Sequence, residues 1–230
     1  MRKSLLILIV ALCQVLVAQM PAPVPGTDNT DTAPEITFTL NWPQAITPYY
    51  SISISSTGKA SYQSSSKPSG EGDPYMLKFV ASEPTRTKLF DLAKQVNYFK
   101  GDFNYKKGKL AFTGDKTLAF KDNHQRQQTS YVWSSNLQIQ QITSIFQGIS
   151  ETIERGRSLA EKYRFDKLGV DSELKKMEEA AGDGRLEEIG AIQPILSRIA
   201  KDTSMMNITR RRAEALLAKI PKPNQSAGQP

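Results

Sequence analysis

The stretch Tyr49–Tyr62, reading Tyr-Tyr-Ser-Ile-Ser-Ile-Ser-Ser-Thr-Gly-Lys-Ala-Ser-Tyr, decides the fold. Tyr50, Ile52 and Ile54 alternate with Ser51, Ser53 and Ser55. A period of two gives a strand with one apolar and one polar face. Thr57-Gly58 reads as a tight turn, because glycine takes positive φ without a steric penalty. Ala60 and Tyr62 begin the return strand. A two-stranded ribbon with an oily face is marginal in water, so neighbouring segments must cover it.

Glu35 to Asn41 alternates Ile36, Phe38 and Leu40 with Thr37 and Thr39, and Trp42-Pro43 ends it, since proline cannot donate to a ladder. Ser64 to Pro74 is a loop of Ser, Lys, Gly and Pro, and Tyr75 to Ala81 returns to strand with Leu77 and Phe79 on one face. Ser82 suits an N-cap and Pro84 a first helical turn. Leu89, Leu92, Ala93 and Val96 then recur at helical spacing, which predicts an amphipathic helix as the lid of the ribbon. Tyr98-Phe99 closes that helix and is expected in the same core. Thr117 to Lys121 and Gln127 to Trp133 form a second hairpin around Asp122-Asn123. Leu118 and Phe120 are expected inward on one side, with Tyr131 and Trp133 on the other.

From Ser135 the pattern turns helical. Ile142, Ile145, Phe146, Ile149, Ile153, Ala160 and Tyr163 form one stripe, interrupted by Gly148 and Gly156, which leave room for a closely packed neighbour. Asp171 or Ser172 is expected to cap a helix carrying Leu174, Met177 and Ala181, and Gly182-Asp183-Gly184 breaks it. Leu186, Ile189, Ile192, Leu196 and Ile199 form another stripe, kinked or divided at Pro194. Thr203 to Ile220 holds Met206, Ala213, Leu216, Leu217 and Ile220, with Met205-Met206 as core filler. The class expected is therefore α+β: an antiparallel sheet with one packed helix over 35–134, then an all-helical part over 135–220.

The chain has 230 residues, a formal net charge of +7 and 39% hydrophobic residues, enough for one medium domain with an appendage. Residues 1–19 read as a signal peptide: Arg2 and Lys3, an apolar run from Ser4 to Val17, then Ala18. An uncleaved anchor and a lipoprotein signal at Cys13 are the alternatives; Leu12 is bulky where the latter wants a small residue. Residues 20–34 carry Pro, Thr and Asp with little to bury and read as a disordered linker, as do the polar residues 221–230 at the other end. The localisation expected is exported, periplasmic or secreted. Cys13 has no partner for a disulfide, and one His with one Cys cannot build a His/Cys zinc site.

The hairpin region resembles a family of uncharacterised secreted bacterial domains. The shared pattern is Pro-x-Tyr, alternating strand residues, a turn Gly and a Tyr a few residues on. Here it is Pro48, Tyr50, Ile52, Ile54, Gly58 and Tyr62, then Tyr98-Phe99 after the helix. The likeness spans roughly Glu35 to Ile149. Family members carry cysteines just before the Pro, where this chain has Ala45, Ile46 and Thr47. The resemblance implies a domain of unknown function and assigns no site residue.

Few residues suit chemistry. Gly58-Lys59 lacks the other glycine and the hydroxyl of a phosphate loop. His124 lies at a hairpin tip, with no nucleophile elbow anywhere in the chain. Glu178-Glu179 and Glu187-Glu188 read as solvated helix faces, and Asp102 and Asp115 lack calcium-loop spacing. No metal and no cofactor is expected. The suggestive cluster is Lys100, Lys106, Lys107, Lys109, Lys116, Lys121 and Arg126, interleaved with Phe99, Phe103 and Tyr105, as a contact surface for an anionic ligand. Arg210, Arg211 and Arg212 point about 100° apart on a helix, and Glu214 is placed to pair with Arg210. These observations favour a non-enzymatic binding or scaffolding module of the bacterial envelope. Its partner would be an unknown protein or an anionic envelope polymer. Export removes it from nucleic acid, and membrane contact is expected only through the signal segment. The alternatives are an envelope hydrolase using Asp102, Asp115 and Asp122, or an inhibitor or chaperone-like protein that pairs through a sheet edge.

Overall fold

Strands that alternate apolar and hydroxyl side chains set the sheet in the computed structural model, which describes residues 33–108 and 110–221. The signal segment, Cys13, nearly all of the linker, Lys109 and the tail beyond Pro221 lie outside the described residues. Six strands, β1 (Glu35–Asn41), β2 (Tyr49–Ser55), β3 (Lys59–Ser65), β4 (Tyr75–Val80), β5 (Asp115–Lys121) and β6 (Arg126–Tyr131), form one antiparallel sheet in the order β4-β3-β2-β1-β5-β6. The register puts Tyr62, Ile52, Phe38 and Leu118 in one cross-strand row, all fully buried. The other face carries the hydroxyls: Thr37 bonds Ser53 at 2.8 Å and Thr117 bonds Ser130 at 3.0 Å. The turn of the ribbon is Ser55 to Gly58, closed by a 3.0 Å backbone bond, with Gly58 at φ 92°.

Five helices follow the α+β expectation: α1 (Glu83–Gln95), α2 (Leu137–Phe165), α3 (Lys167–Gly182), α4 (Gln193–Lys201) and α5 (Asn207–Leu217). Leu89, Leu92 and Ala93 of α1 are buried with the sheet, as the sequence predicts. Yet α1 is only half of the lid. Ile139 to Ile153 of α2 lie in the same core, and Phe146 stacks on Phe38 at 5.3 Å between ring centroids. The helical part expected from residue 135 onward thus begins inside the sheet's core. The far half of α2 carries Leu159 into a second core with Leu174 and Met177 of α3, Leu196 and Ile199 of α4, and Ala213 and Leu216 of α5.

Several local expectations are corrected. Tyr131 stands opposite Lys116, so it shares the inner face with Leu118 and Phe120; directly paired residues of an antiparallel ladder lie on the same side. Trp133 lies beyond β6 and is partly exposed. The third helix starts at Lys167 with Asp166 as its cap, accepting the Gly169 amide at 3.0 Å. Asp171, the expected cap, instead accepts from Thr209 and Arg212. Of the two expectations for Pro194, division holds: it stands in the first turn of α4, after a short 3-10 turn over Ile189–Ile192. Met205 is buried and Met206 exposed. Arg210 donates to Asn207 rather than pairing with Glu214.

Two features lock the cores together. Glu188 is buried, not solvated, and its carboxylate accepts the Ser82 amide at 3.1 Å and the Ser82 hydroxyl at 2.6 Å. It completes the start of α1, where Ser82 makes no side-chain cap of its own. Its backbone sits at φ 54°, a left-handed conformation that costs on the order of 1–3 kcal/mol. Gly156 of α2 is the second feature: a Cβ there would stand 2.9 Å from Ile192 Cβ. Gly156→Ala is therefore expected to destabilise by about 1–3 kcal/mol through overpacking, although alanine is the better helix former by about 1 kcal/mol. A lower urea midpoint checks it, and Gly156→Ala should cost less in an Ile192→Ala background, which removes the Cγ2 that meets the new methyl.

Candidate functional site

Tyr131, Lys116 and the segments flanking them build the most distinctive cavity among the described residues. It measures about 380 Å³ and is walled by Trp42, Trp133, Ile139 and Tyr131, with Ser144 and Gln147 at its mouth. Both tryptophans of the chain are in this wall. Trp42 follows β1, and its amide bonds the Pro48 carbonyl at 2.7 Å, which fixes the bend. Trp133 follows β6, and its ring meets Tyr105 edge-on at 5.0 Å. Gly114, at φ 86°, lets the chain before β5 fold onto Trp42; a Cβ there would lie 2.6 Å from Trp42 Cβ.

Lys116 occupies an inner-face position of β5 and is only 4% exposed. Its ammonium donates to Thr113 O at 2.8 Å, Val132 O at 2.8 Å, Thr113 Oγ1 at 3.0 Å and Gly114 O at 3.1 Å. Burial pulls this amine down to about 8, against the nearby Asp115 carboxylate, which acts to raise it. Beside it the Tyr131 hydroxyl donates to Thr143 Oγ1 at 2.6 Å, and Thr143 donates to Ile139 O at 2.6 Å. Burial pushes the Tyr131 phenol well above its ordinary range. These polar groups are satisfied within the protein. By contrast, the Ser144 hydroxyl and the Gln147 amide at the mouth have no protein partner among the described residues. The arrangement is a preformed aromatic slot with a buried positive charge behind it and open polar groups in front.

The predicted basic cluster does not come together. Lys116 and Lys121 are five residues apart in one strand, so they face opposite sides of the sheet; Lys116 leaves the surface altogether. Lys121 and Arg126 are exposed cross-strand partners at the hairpin end, and Lys121 bridges Glu35 at 3.0 Å. Lys100, Lys106 and Lys107 are exposed on the loop that leads to and past Tyr105, and Lys106 pairs with Asp102. Lys109 lies outside the described residues. Phe99, interleaved in that cluster, is fully buried. The three aspartates do not converge either. Asp115 opens β5 and Asp122 lies beyond its end, where it accepts the His124 and Gln125 amides. His124 is exposed at the tip.

Sequence reasoning missed the tryptophan slot. The available signal was Lys116 in phase with Leu118 and Phe120, a charge at an apolar position of an alternating strand. No protein-family model matches this chain, and no curated protein matches it. The residues behind the secreted-domain likeness are explained by folding: Tyr50, Ile52, Ile54 and Tyr62 face the core and Gly58 makes the turn.

Replacing Lys116 with Met should destabilise by about 1–3 kcal/mol at pH 7, because the Thr113 and Gly114 carbonyls lose their donor while Val132 O keeps only the Thr113 hydroxyl. The amine is lowered in the folded chain, to about 8 from 10.5. Between those values the unfolded chain holds more protons, so wild-type stability rises with pH there. The gap between wild type and Lys116→Met should widen from pH 8 to 10.5 in urea titrations; a flat gap would show that the amine does not titrate in this window.

Proposed function

We infer that this chain is an exported, non-enzymatic binding module of the bacterial envelope, and that it takes one unit of an anionic, ring-bearing polymer in the tryptophan slot. The observation that carries the reading is the placement of both tryptophans around one cavity backed by the buried Lys116 ammonium. Indole faces suit the apolar side of a ring, and a few placed polar groups in an apolar cleft fix orientation. The buried charge favours a ligand bearing carboxylate or phosphate. Lys107, two residues after Tyr105, adds positive charge on the Trp133 side. Binding rather than chemistry is the better account of the slot, since the ammonium and the Tyr131 hydroxyl are already committed to protein acceptors. The N-terminal residue pattern supports export.

A second reading, pairing of a partner strand along β4, draws on a different observation. That strand is a sheet edge with Met76 and Val80 exposed and Lys78 as its one charge.

Fluorescence of Trp42 and Trp133 gives the test, because no other tryptophan exists. Titration with oligogalacturonate should shift the emission, and added salt should weaken the effect. A neutral cello-oligosaccharide should bind far less. Ser144→Phe, which fills the mouth, should cut affinity by roughly two- to tenfold, the scale of one lost aromatic contact. Equal binding of neutral and acidic oligomers, or an unaltered Ser144→Phe protein, would remove the slot from consideration.

A further inference from the structure

The end of the helical part remote from the sheet exposes a second surface. Phe165 and Leu168 at the α2–α3 junction are 80% and 82% exposed, and Met206 and Ile208 at the start of α5 are 51% and 50% exposed. Side-chain hydrogen bonds bring these two segments side by side. Lys167 Nζ donates to Ser204 Oγ at 2.8 Å, the Tyr163 hydroxyl to Asp202 at 2.7 Å and the Thr209 hydroxyl to Asp171 at 3.1 Å. Four large apolar side chains thus stand out of one end of the molecule. Soluble surfaces scatter such residues singly, and a grouped set marks a contact site.

The charges around this tip are mainly basic, with Glu161 and Glu214 as exposed acids on the same helices. The Arg164 guanidinium lies 5.1 Å over the Phe165 ring. Arg164 and Arg211 are exposed and have no carboxylate partner among the described residues. Two acids at the helix junctions are committed to the protein. Asp166 caps α3, and Asp202, lowered to about 2 by hydrogen bonds from Ser204 and Tyr163, also faces Lys167 at 3.8 Å. The tip therefore offers apolar side chains flanked by free arginines.

We propose that this tip docks on an anionic phospholipid bilayer surface, with Phe165, Leu168, Met206 and Ile208 entering the headgroup boundary and Arg164 and Arg211 contacting lipid phosphates. Charge complementarity selects the anionic partner, and shape selects the bilayer. The four side chains project from helix ends, and none of them lines the tryptophan slot or the two clefts beside α1. Apolar tips with basic neighbours are the usual equipment for lying on a membrane. Each arginine near such a surface contributes about fivefold in affinity.

The full chain is tested with its own cysteine removed, Cys13→Ser, and an environment-sensitive fluorophore on Leu168→Cys. A matched protein carries the fluorophore on Ile46→Cys, an exposed loop position in the sheet half. Vesicles with equal parts phosphatidylglycerol and phosphatidylcholine should blue-shift the label at 168 and not the label at 46. Pure phosphatidylcholine should leave both unchanged, and high salt should reverse the shift. Adding Arg164→Gln and Arg211→Gln should weaken the response by roughly tenfold or more. A label at 168 that stays in water while vesicles carry the protein down would overturn the proposal, since the N-terminal segment alone would then be the attachment. So would a blue shift that follows protein concentration without vesicles, which would mean a second copy covers the tip.

Discussion

The apolar face of the six-stranded sheet has to be kept from water, and the burial of that face against α2 is the constraint on which the rest depends. Phe38, Ile52, Tyr62 and Leu118 lie across four strands in one row, and full burial of each such side chain is worth roughly 1.5–3 kcal/mol. One helix of thirteen residues cannot cover six strands. The longer α2 completes the cover with Ile139, Ile142, Phe146, Ile149 and Ile153. Where the sheet's inner face turns polar at β3, α2 turns polar with it. Glu154 accepts from Tyr62 and from Ser64, each at 2.7 Å, and Arg157 holds Glu154 at 2.8 Å while lying over Tyr75. A half-buried carboxylate is tolerable there because Tyr62, Ser64 and Arg157 all pair with it.

Strain in this molecule sits where separate parts must meet. Asn97, Tyr98 and Phe99 have φ of 50°, 53° and 72°, a left-handed turn that costs roughly 1–2 kcal/mol per residue. That turn buries Phe99 completely and sets the Tyr98 ring 4.5 Å from Phe120. Without it α1 would run past the sheet instead of closing over β5. Glu188 follows the same logic: an unfavourable backbone is held because the carboxylate satisfies the first turn of α1. Lys116 is a third case. Its methylenes fill an apolar position, and its ammonium ends among the Thr113, Gly114 and Val132 carbonyls, the last of which also accepts from the Thr113 hydroxyl.

The strands were legible because a period of two is set by the backbone alone. Glu35 to Asn41 and the ribbon from Tyr49 fall where alternation places them, and Ile52 and Ile54 are fully buried. Helix starts were less legible. Asp166 and Asp171 are both fair caps by type, and only the tight reversal after Phe165 decides between them. Glu187-Glu188 looks like a solvated pair in one dimension; that Glu188 reaches Ser82, over a hundred residues away, is a product of packing. The basic cluster misled for a related reason. Nearness in sequence puts seven cations together, but β5 sends Lys116 and Lys121 to opposite faces. The slot escaped notice because Trp42, Lys116, Trp133 and Ser144 come from four separate stretches.

The helix that joins the two cores also spaces the two surfaces. Gln147 lines the slot and Phe165 stands at the tip, both on α2. At 1.5 Å of rise per residue they are about 27 Å apart along the axis. The helix is a rigid rod there, with no proline between them and with Gly148 and Gly156 pinned by Glu187 and Ile192 rather than free to bend. A tip resting on a bilayer would then hold the slot clear of the headgroups, where a polymer strand can reach it. The same rod sets which substitutions separate the two roles. Changes at Phe165 or Leu168 touch neither core, because both side chains are in water. Changes at Gly156 disturb the packing that keeps slot and tip in one body. Loss at both surfaces from Gly156, and loss at one from either end, is the pattern that a stiff spacer imposes.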